Sequence, residues 1–221
     1  MATWIAHLRI AENLLKKYDF EIDSFLVGSI GPDSGVPNED WSEFNPPKGI
    51  THWQDELGTI NAEAFFDKYI RNLNYKEDKH RYSFLVGYYF HLIADIEWSK
   101  MHRKKKEYLP YLEKLEEDPT FIWTIKKDWY GLDFKYLREN PNSIFYKGFI
   151  HITDTIDYLS YFPGGAILRQ AKYIINYYLN EKPNLDRPFI YLTEENMNEY
   201  IFDTTRVIEK IGKEKKIIFS K

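Results

Sequence analysis

Phe84-Leu85-Val86-Gly87-Tyr88-Tyr89-Phe90-His91-Leu92-Ile93-Ala94-Asp95 is apolar for nearly three turns and is interrupted only by an imidazole and a carboxylate. Phe84, Leu85, Tyr88, Leu92 and Trp98 recur at helical spacing, which predicts a helix over residues 78–105. Its basic tail, Arg103-Lys104-Lys105-Lys106, suits a helix C-terminus. There a solvated face complementing the helix dipole is a simpler role than phosphate binding. The apolar run falls short of the roughly eighteen residues that a membrane span needs, and no other stretch reaches that length.

Working outward, Thr3 is placed to cap a helix over 4–18, in which Trp4, Ile5, Leu8, Ala11, Leu14, Leu15 and Tyr18 form one stripe and His7 falls within it. Asp23 or Ser24 opens a short apolar turn, Phe25-Leu26-Val27-Gly28, which Gly31-Pro32-Asp33-Ser34-Gly35 ends. Residues 34–51 are rich in Pro, Gly and Asn and are expected to be loop, of a length that more often frames a site than merely connects elements. Asn61 caps a helix carrying Phe65, Phe66, Tyr69, Ile70 and Leu73. Pro141 suits the first position of a helix over 141–161, stopped by Pro163-Gly164-Gly165. A further helix carries Ile167, Leu168, Ala171, Ile174, Ile175 and Leu179. The last begins after Thr193 and carries Tyr200, Ile201, Thr205, Ile208 and Ile211. No sustained period-two alternation appears, so the expectation is an all-α, multi-helix chain, and its 221 residues fit a single domain over 1–221.

Apolar residues at 43% and charged residues at 29% are ordinary for a globular protein and argue against disorder. A net charge of -4 argues against duplex nucleic acid as a partner, since that contact needs a strongly basic face. Cysteine is absent, so any metal must be held by histidine and carboxylate; this also suits a reducing compartment, and the chain is expected to be cytoplasmic. The opening Met1-Ala2-Thr3-Trp4 leads into an amphipathic segment containing Arg9 and Glu12, which lacks the apolar core of a secretion signal.

Phosphate-cradling glycine loops, H-E-x-x-H, G-x-S-x-G and the adjacent His-Asp pair of another class of helical metal hydrolases are all missing. What remains is a set of histidines and aspartates. His91 and Asp95, at i and i+4, share one helix face and can reach one divalent ion. Such a pair is weak evidence alone, but an unpaired carboxylate in so apolar a setting is costly to bury and needs a metal or an Arg or Lys partner. His7 is inward-facing and is either a core histidine bonded to a backbone carbonyl or a ligand. Asp33 sits where turn chemistry would also explain it. His52, in Thr51-His52-Trp53, could be a loop residue.

Taken in order, His7 in Trp4-Ile5-Ala6-His7-Leu8-Arg9-Ile10-Ala11, then Gly28-Ser29-Ile30-Gly31-Pro32-Asp33, then Thr51-His52-Trp53, then Gly87-Tyr88-Tyr89-Phe90-His91-Leu92-Ile93-Ala94-Asp95, resemble the zinc-dependent phospholipase C pattern. The order also looks like that of the related single-strand-specific zinc nucleases, helical proteins with a trinuclear zinc cluster that cleave phosphodiesters. The match covers about the first hundred residues. The resemblance implies a phospholipase C/nuclease-like helical fold and a divalent cofactor, zinc. It also implies metal ligands at His7, Asp33, His52, His91 and Asp95: His52, His91 and Asp95 on one ion, Asp33 bridging or beside it, and His7 helping to hold a second. Asp33 would orient the attacking water, as general base or by hydrogen bonding. The implied substrate is a small phosphoester or a lipid head group, and Trp41, Trp53 and Trp129 could line its cleft or simply pack.

Two departures bear on the metal count. In secreted members an N-terminal Trp ligates zinc through its amine and carbonyl, whereas Trp4 follows Met1, Ala2 and Thr3. The family's second His-x-x-x-acid pair is also unmatched, because His151 is followed by Asp154 at i+3. A di- or trinuclear site is therefore expected, with Asp128, His151 and Asp154 as possible additional ligands. His102 is expected at the surface and His80 is given no role. The rivals are a family member that binds metal without turnover and a non-metal interaction module.

Overall fold

The computed structural model describes residues 1–40, 42–104 and 109–221. Trp41 lies outside the described residues, as do Lys105 and Lys106 of the basic run and the side chains of Arg103 and Lys104. Among the described residues there are ten α-helices and one two-stranded antiparallel ladder, which is the expected all-α class. No described helix is long and apolar enough to cross a membrane.

The long helix α5 (Lys79–Lys104) is the axis of the fold, and the apolar run that predicted it is buried on every side from Phe84 to Ala94. Helix α2 (Ile22–Gly28) lies along it, backbone against backbone. A Cβ on Gly28 would run into the Phe84 carbonyl, and one on Gly87 would come within 2.6 Å of the Phe25 carbonyl, so glycine is required on both sides of the crossing. Periodicity marked α2 only as an apolar turn. It is a helix because the Glu21 side chain accepts from the Asp23 and Ser24 amides and caps it.

Helix α1 (Trp4–Leu15) buries the anticipated stripe apart from the half-buried Trp4, His7 included, and stops three residues early. Tyr18 instead bridges to Ser220. The Gly31-Pro32 break forms the 3-10 turn Gly31–Asp33, and the expected loop after it carries the ladder of β1 (Val36–Pro37) with β2 (Phe44–Asn45) and the single turn α3 (Lys48–Thr51). Asn61 caps α4 (Ala62–Tyr69) through the Ala64 amide, and Thr193 caps α10 (Glu194–Glu214) through the Asn196 amide, both as read.

Periodicity marked nothing for α6 (Leu109–Glu117) and α7 (Ile122–Glu139), the second of which buries Ile125, Trp129, Leu132 and Leu137. Conversely, the helix expected over 141–161 does not form. The chain makes the single turn α8 (Ile144–Lys147), leaves helical geometry at Gly148 (φ -134°, ψ -66°), and after the 3-10 turn Phe149–His151 is extended at Ile152. The β-branched Ile152, Thr153, Thr155 and Ile156 favour that course, since a helix takes away χ1 freedom that an extended chain leaves them. Gly165, at φ 73°, then starts α9 (Ala166–Asn180). The buried apolar side chains of these elements form one cluster.

Candidate metal centre

Four separate pieces of chain deliver the donors. His7 comes from the buried face of α1, Asp33 from the end of the 3-10 turn, His52 from the residue after α3, and His91 with Asp95 from adjacent turns of α5. All are buried except Asp33, which is slightly exposed. Their donor atoms form two groups, His7 with His91 and Asp95, and Asp33 with His52 and His91; within each, all donors lie within 4.8 Å of one another.

The spacing points to an ion rather than to hydrogen bonds. His7 Nε2 is 3.5 Å from Asp95 Oδ1. His52 Nε2 is 3.5 Å from both Asp95 Oδ2 and Asp33 Oδ1, and His91 Nε2 is 3.4 Å from Asp95 Oδ2. Good N–H···O bonds run about 2.7–3.2 Å. Two donors each about 2.0–2.2 Å from one zinc stand roughly 3.3–3.6 Å apart at the tetrahedral angle. Correspondingly, Nε2 of His7, His52 and His91 and Oδ2 of Asp95 are buried with no hydrogen-bond partner. Orphans of this kind are uncommon in a folded chain, and four facing one another fit a cation.

The opposite edges of the rings are held. His91 Nδ1 donates to the Ser29 carbonyl at 2.8 Å, which leaves the Nε2 lone pair free to ligate. His52 Nδ1 lies 3.0 Å from the Thr51 hydroxyl. The rings of His7 and His91 stack at 3.7 Å and 6°, so they enter side by side. Trp53, just past His52, takes φ 53°, a left-handed conformation that turns the chain sharply away while His52 stays inside.

Electrostatics favour anionic carboxylates and a neutral His7 ring. Burial, aided by the charge of His91, pushes His7 down to about 4. Burial also acts to lower His91, but Asp95, then Asp33 and the Ser29 carbonyl, outweigh it and the net shift is upward. Burial would raise Asp33 and Asp95. His52 and His91 overcome it at Asp33, and His91 and His7 do so at Asp95, so both carboxyls are held well below the usual range.

Asp95 uses its other oxygen to accept from the Ala2 amide at 2.8 Å, so residue 2 brings main chain to the cluster, and the charge of the amino terminus also acts on Asp95. Next to it the Thr3 hydroxyl donates to Asp133 Oδ1 at 2.7 Å, and Tyr178 donates to Asp133 Oδ2 at 2.5 Å. Burial pushes Asp133 up to about 7 despite these bonds. No sequence signal marked Ala2 or Asp133 for these places.

Asp33 is the cluster member that meets the outside. It lines a cavity of about 220 Å³ walled by Trp4, Phe44, Tyr130 and Tyr173, and a second of about 200 Å³ reaching Met1, Thr3 and Trp129. Lys48 and Lys126 line both, and in sequence neither differs from an ordinary surface lysine. Trp129 therefore borders the cleft, while Trp53 lines a separate hollow with Tyr161.

The three additional candidates are not brought to the cluster. Asp128 is buried against Arg187 and accepts from the Ile190 and Tyr191 amides at 2.6 Å each, which satisfies it without a metal. His151 and Asp154 are exposed, in the neighbourhood of Asp23. His102 is half-buried, its ring packed on Trp98 and Trp129 and so not out at the surface, whereas His80 is exposed beside Glu21.

No curated protein and no solved structure matches the chain. A donor set of imidazoles and carboxylates alone, closed at tetrahedral spacing, suits zinc. The family model for zinc dependent phospholipase C matches residues 4–212, taking in every one of these donors, and the chain belongs to that zinc-dependent family.

Proposed function

We propose that this chain is a zinc-dependent phosphoester hydrolase of the phospholipase C or phosphodiesterase type, working at the His7, Asp33, His52, His91 and Asp95 cluster. The observation that carries this is the combination of four facing orphan donors with a partly exposed fifth, Asp33, opening on a cleft. His52, His91 and Asp95 Oδ2 would hold one ion with Asp33 beside it, and His7 with Asp95 Oδ1 would contribute to a second. When bound, zinc supplies Lewis acidity at the phosphoryl group and an acidified water.

The chain's own residues do the rest. Asp33, kept ionised by His52, accepts a hydrogen bond from the attacking water and aims it. Asp95 and His91, fixed from behind by Ala2 and Ser29, hold their positions while charge develops. The aromatic walls displace water from the reacting group. The cytoplasmic location suggested by the cysteine-free sequence is part of the same proposal.

The test is elemental analysis of protein purified without chelator, joined to hydrolysis of a phosphomonoester, a phosphodiester and a phospholipid by wild type and Asp95→Asn. Zinc bound and one substrate turned over, with both lost in the variant, is the expected result. Zinc without turnover would assign the chain to the non-catalytic rival. Turnover undiminished by Asp95→Asn would discard the site.

A further inference from the structure

Lys48 and Lys126 both line the two cavities that meet at Asp33. They are near enough for the charge of Lys48 to add to burial in lowering Lys126. Among the described residues neither has a carboxylate at ion-pair distance. Lys126 lies 4.7 Å over the Trp123 ring and Lys48 6.0 Å from that of Phe44. Asp33 lines the same two cavities and its charge is felt by both, but it stands at ion-pair distance from neither. Two unpaired ammonium groups converging on one hollow repel each other, and an anion placed between them relieves both.

Past Lys126 the lining changes. Trp123, Lys126 and Tyr130 continue into a further cavity of about 470 Å³ walled by Phe134, Tyr177 and Pro183, and lined as well by Lys127 and by Arg187, which is paired with Asp128. Along the groove the order is thus a cluster carboxylate, a pair of ammonium groups and an aromatic chamber.

We propose that this groove selects phosphoesters bearing a second anionic group, a phosphate held between Lys48 and Lys126, with the apolar or ring portion of the substrate in the aromatic chamber. This rests on the hydrolase proposal for the Asp33 centre and names its substrate class. A head group carrying a cation beside its phosphate would meet the two lysines unfavourably. The same chemistry is offered by soluble bisphosphates and by phosphorylated inositol lipids.

The experiment measures equilibrium binding of zinc-loaded protein to thymidine bisphosphate, phosphorylated on both hydroxyls, and to thymidine monophosphate. A second arm uses phosphatidylcholine vesicles carrying either phosphatidylinositol phosphate or phosphatidylinositol. Wild type should prefer the doubly anionic ligand by about tenfold or more in at least one arm, and the arm that responds identifies the source. The ratio should fall toward one in Lys126→Gln and reach it in the double variant Lys48→Gln, Lys126→Gln. No preference in either arm, or a preference that survives the double variant, overturns the proposal. A lysine-dependent preference in a protein that hydrolyses nothing would uphold the anion clamp and sink the hydrolase proposal instead.

Discussion

Asp95 and Asp128 are both buried carboxylates on long helices of this chain, and they are treated in opposite ways. Asp128 is closed: Arg187 neutralises it and two backbone amides fill its second oxygen. Asp95 receives one amide and otherwise faces three imidazoles that do not reach hydrogen-bond distance. A buried charge must be compensated, so the difference separates a carboxylate whose oxygens are all satisfied from one with room for a cation among its neighbours.

Substitution should widen that contrast most at Asp95. Asp95→Asn keeps the size and removes the charge, so bound zinc should fall by at least one equivalent per chain and hydrolysis by at least about a hundredfold. Elemental analysis and initial rates read the two effects. Asp128→Ala should show the reverse pattern: a loss of about 3 kcal/mol in denaturant unfolding, because Arg187 and two amides are left without their acceptor, and unchanged metal content. A similar stability loss in both variants with metal retained in both would erase the distinction. Chelation should lower wild-type stability by about 2–3 kcal/mol and leave Asp95→Asn nearly unmoved, as expected when a ligand binds only the folded state.

Asp133 supplies a third, intermediate case, buried and bonded to two hydroxyls and the Ile5 amide, with no cation at ion-pair distance among the described residues. Its folded pKa of about 7 lies above the ordinary 3.8, so the fold favours the protonated form. The stability this contributes is complete below about pH 4 and is lost as pH rises through 7. In the metal-free protein, Asp133→Asn should flatten that decline by about 1–2 kcal/mol between pH 4 and 8, seen as converging thermal midpoints. A steeper decline in the variant would mean that the carboxylate is ionised and compensated after all. The smallest effect belongs to His151→Ala: stability within about 0.5 kcal/mol and full metal occupancy, since that ring is exposed and away from the other donors.

Much of this contrast could be read before folding. The apolar run around His91 and Asp95 identified the central helix and the cost of leaving that carboxylate alone, and His7 fell on the stripe that α1 buries. Local pattern failed where long-range partners decide. Asp128 looked like a spare ligand because Arg187 lies 59 positions away and carries no motif. The segment at 141–161 has a good helix start, yet its later β-branched residues and Gly148 redirect it. Helix α2 reads as a turn in the sequence because its cap is a glutamate, outside the preferred set of capping residues. Lys48 and Lys126 acquire meaning only from the hollow they share with Asp33.

The glycine seam between α2 and α5 has a mechanical consequence. With main chain pressed on main chain at Gly28 and Gly87, there is no side chain to hop rotamers and nothing compressible in between. His91 and Asp95, with the carbonyl of Ser29 behind them, therefore belong to a fixed anvil. The cleft walls that lie off this seam are the strand-and-turn segment bearing Phe44 and Lys48 and the face of α7 that presents Trp123 and Lys126, and any yielding on ligand entry under the proposed function falls to them.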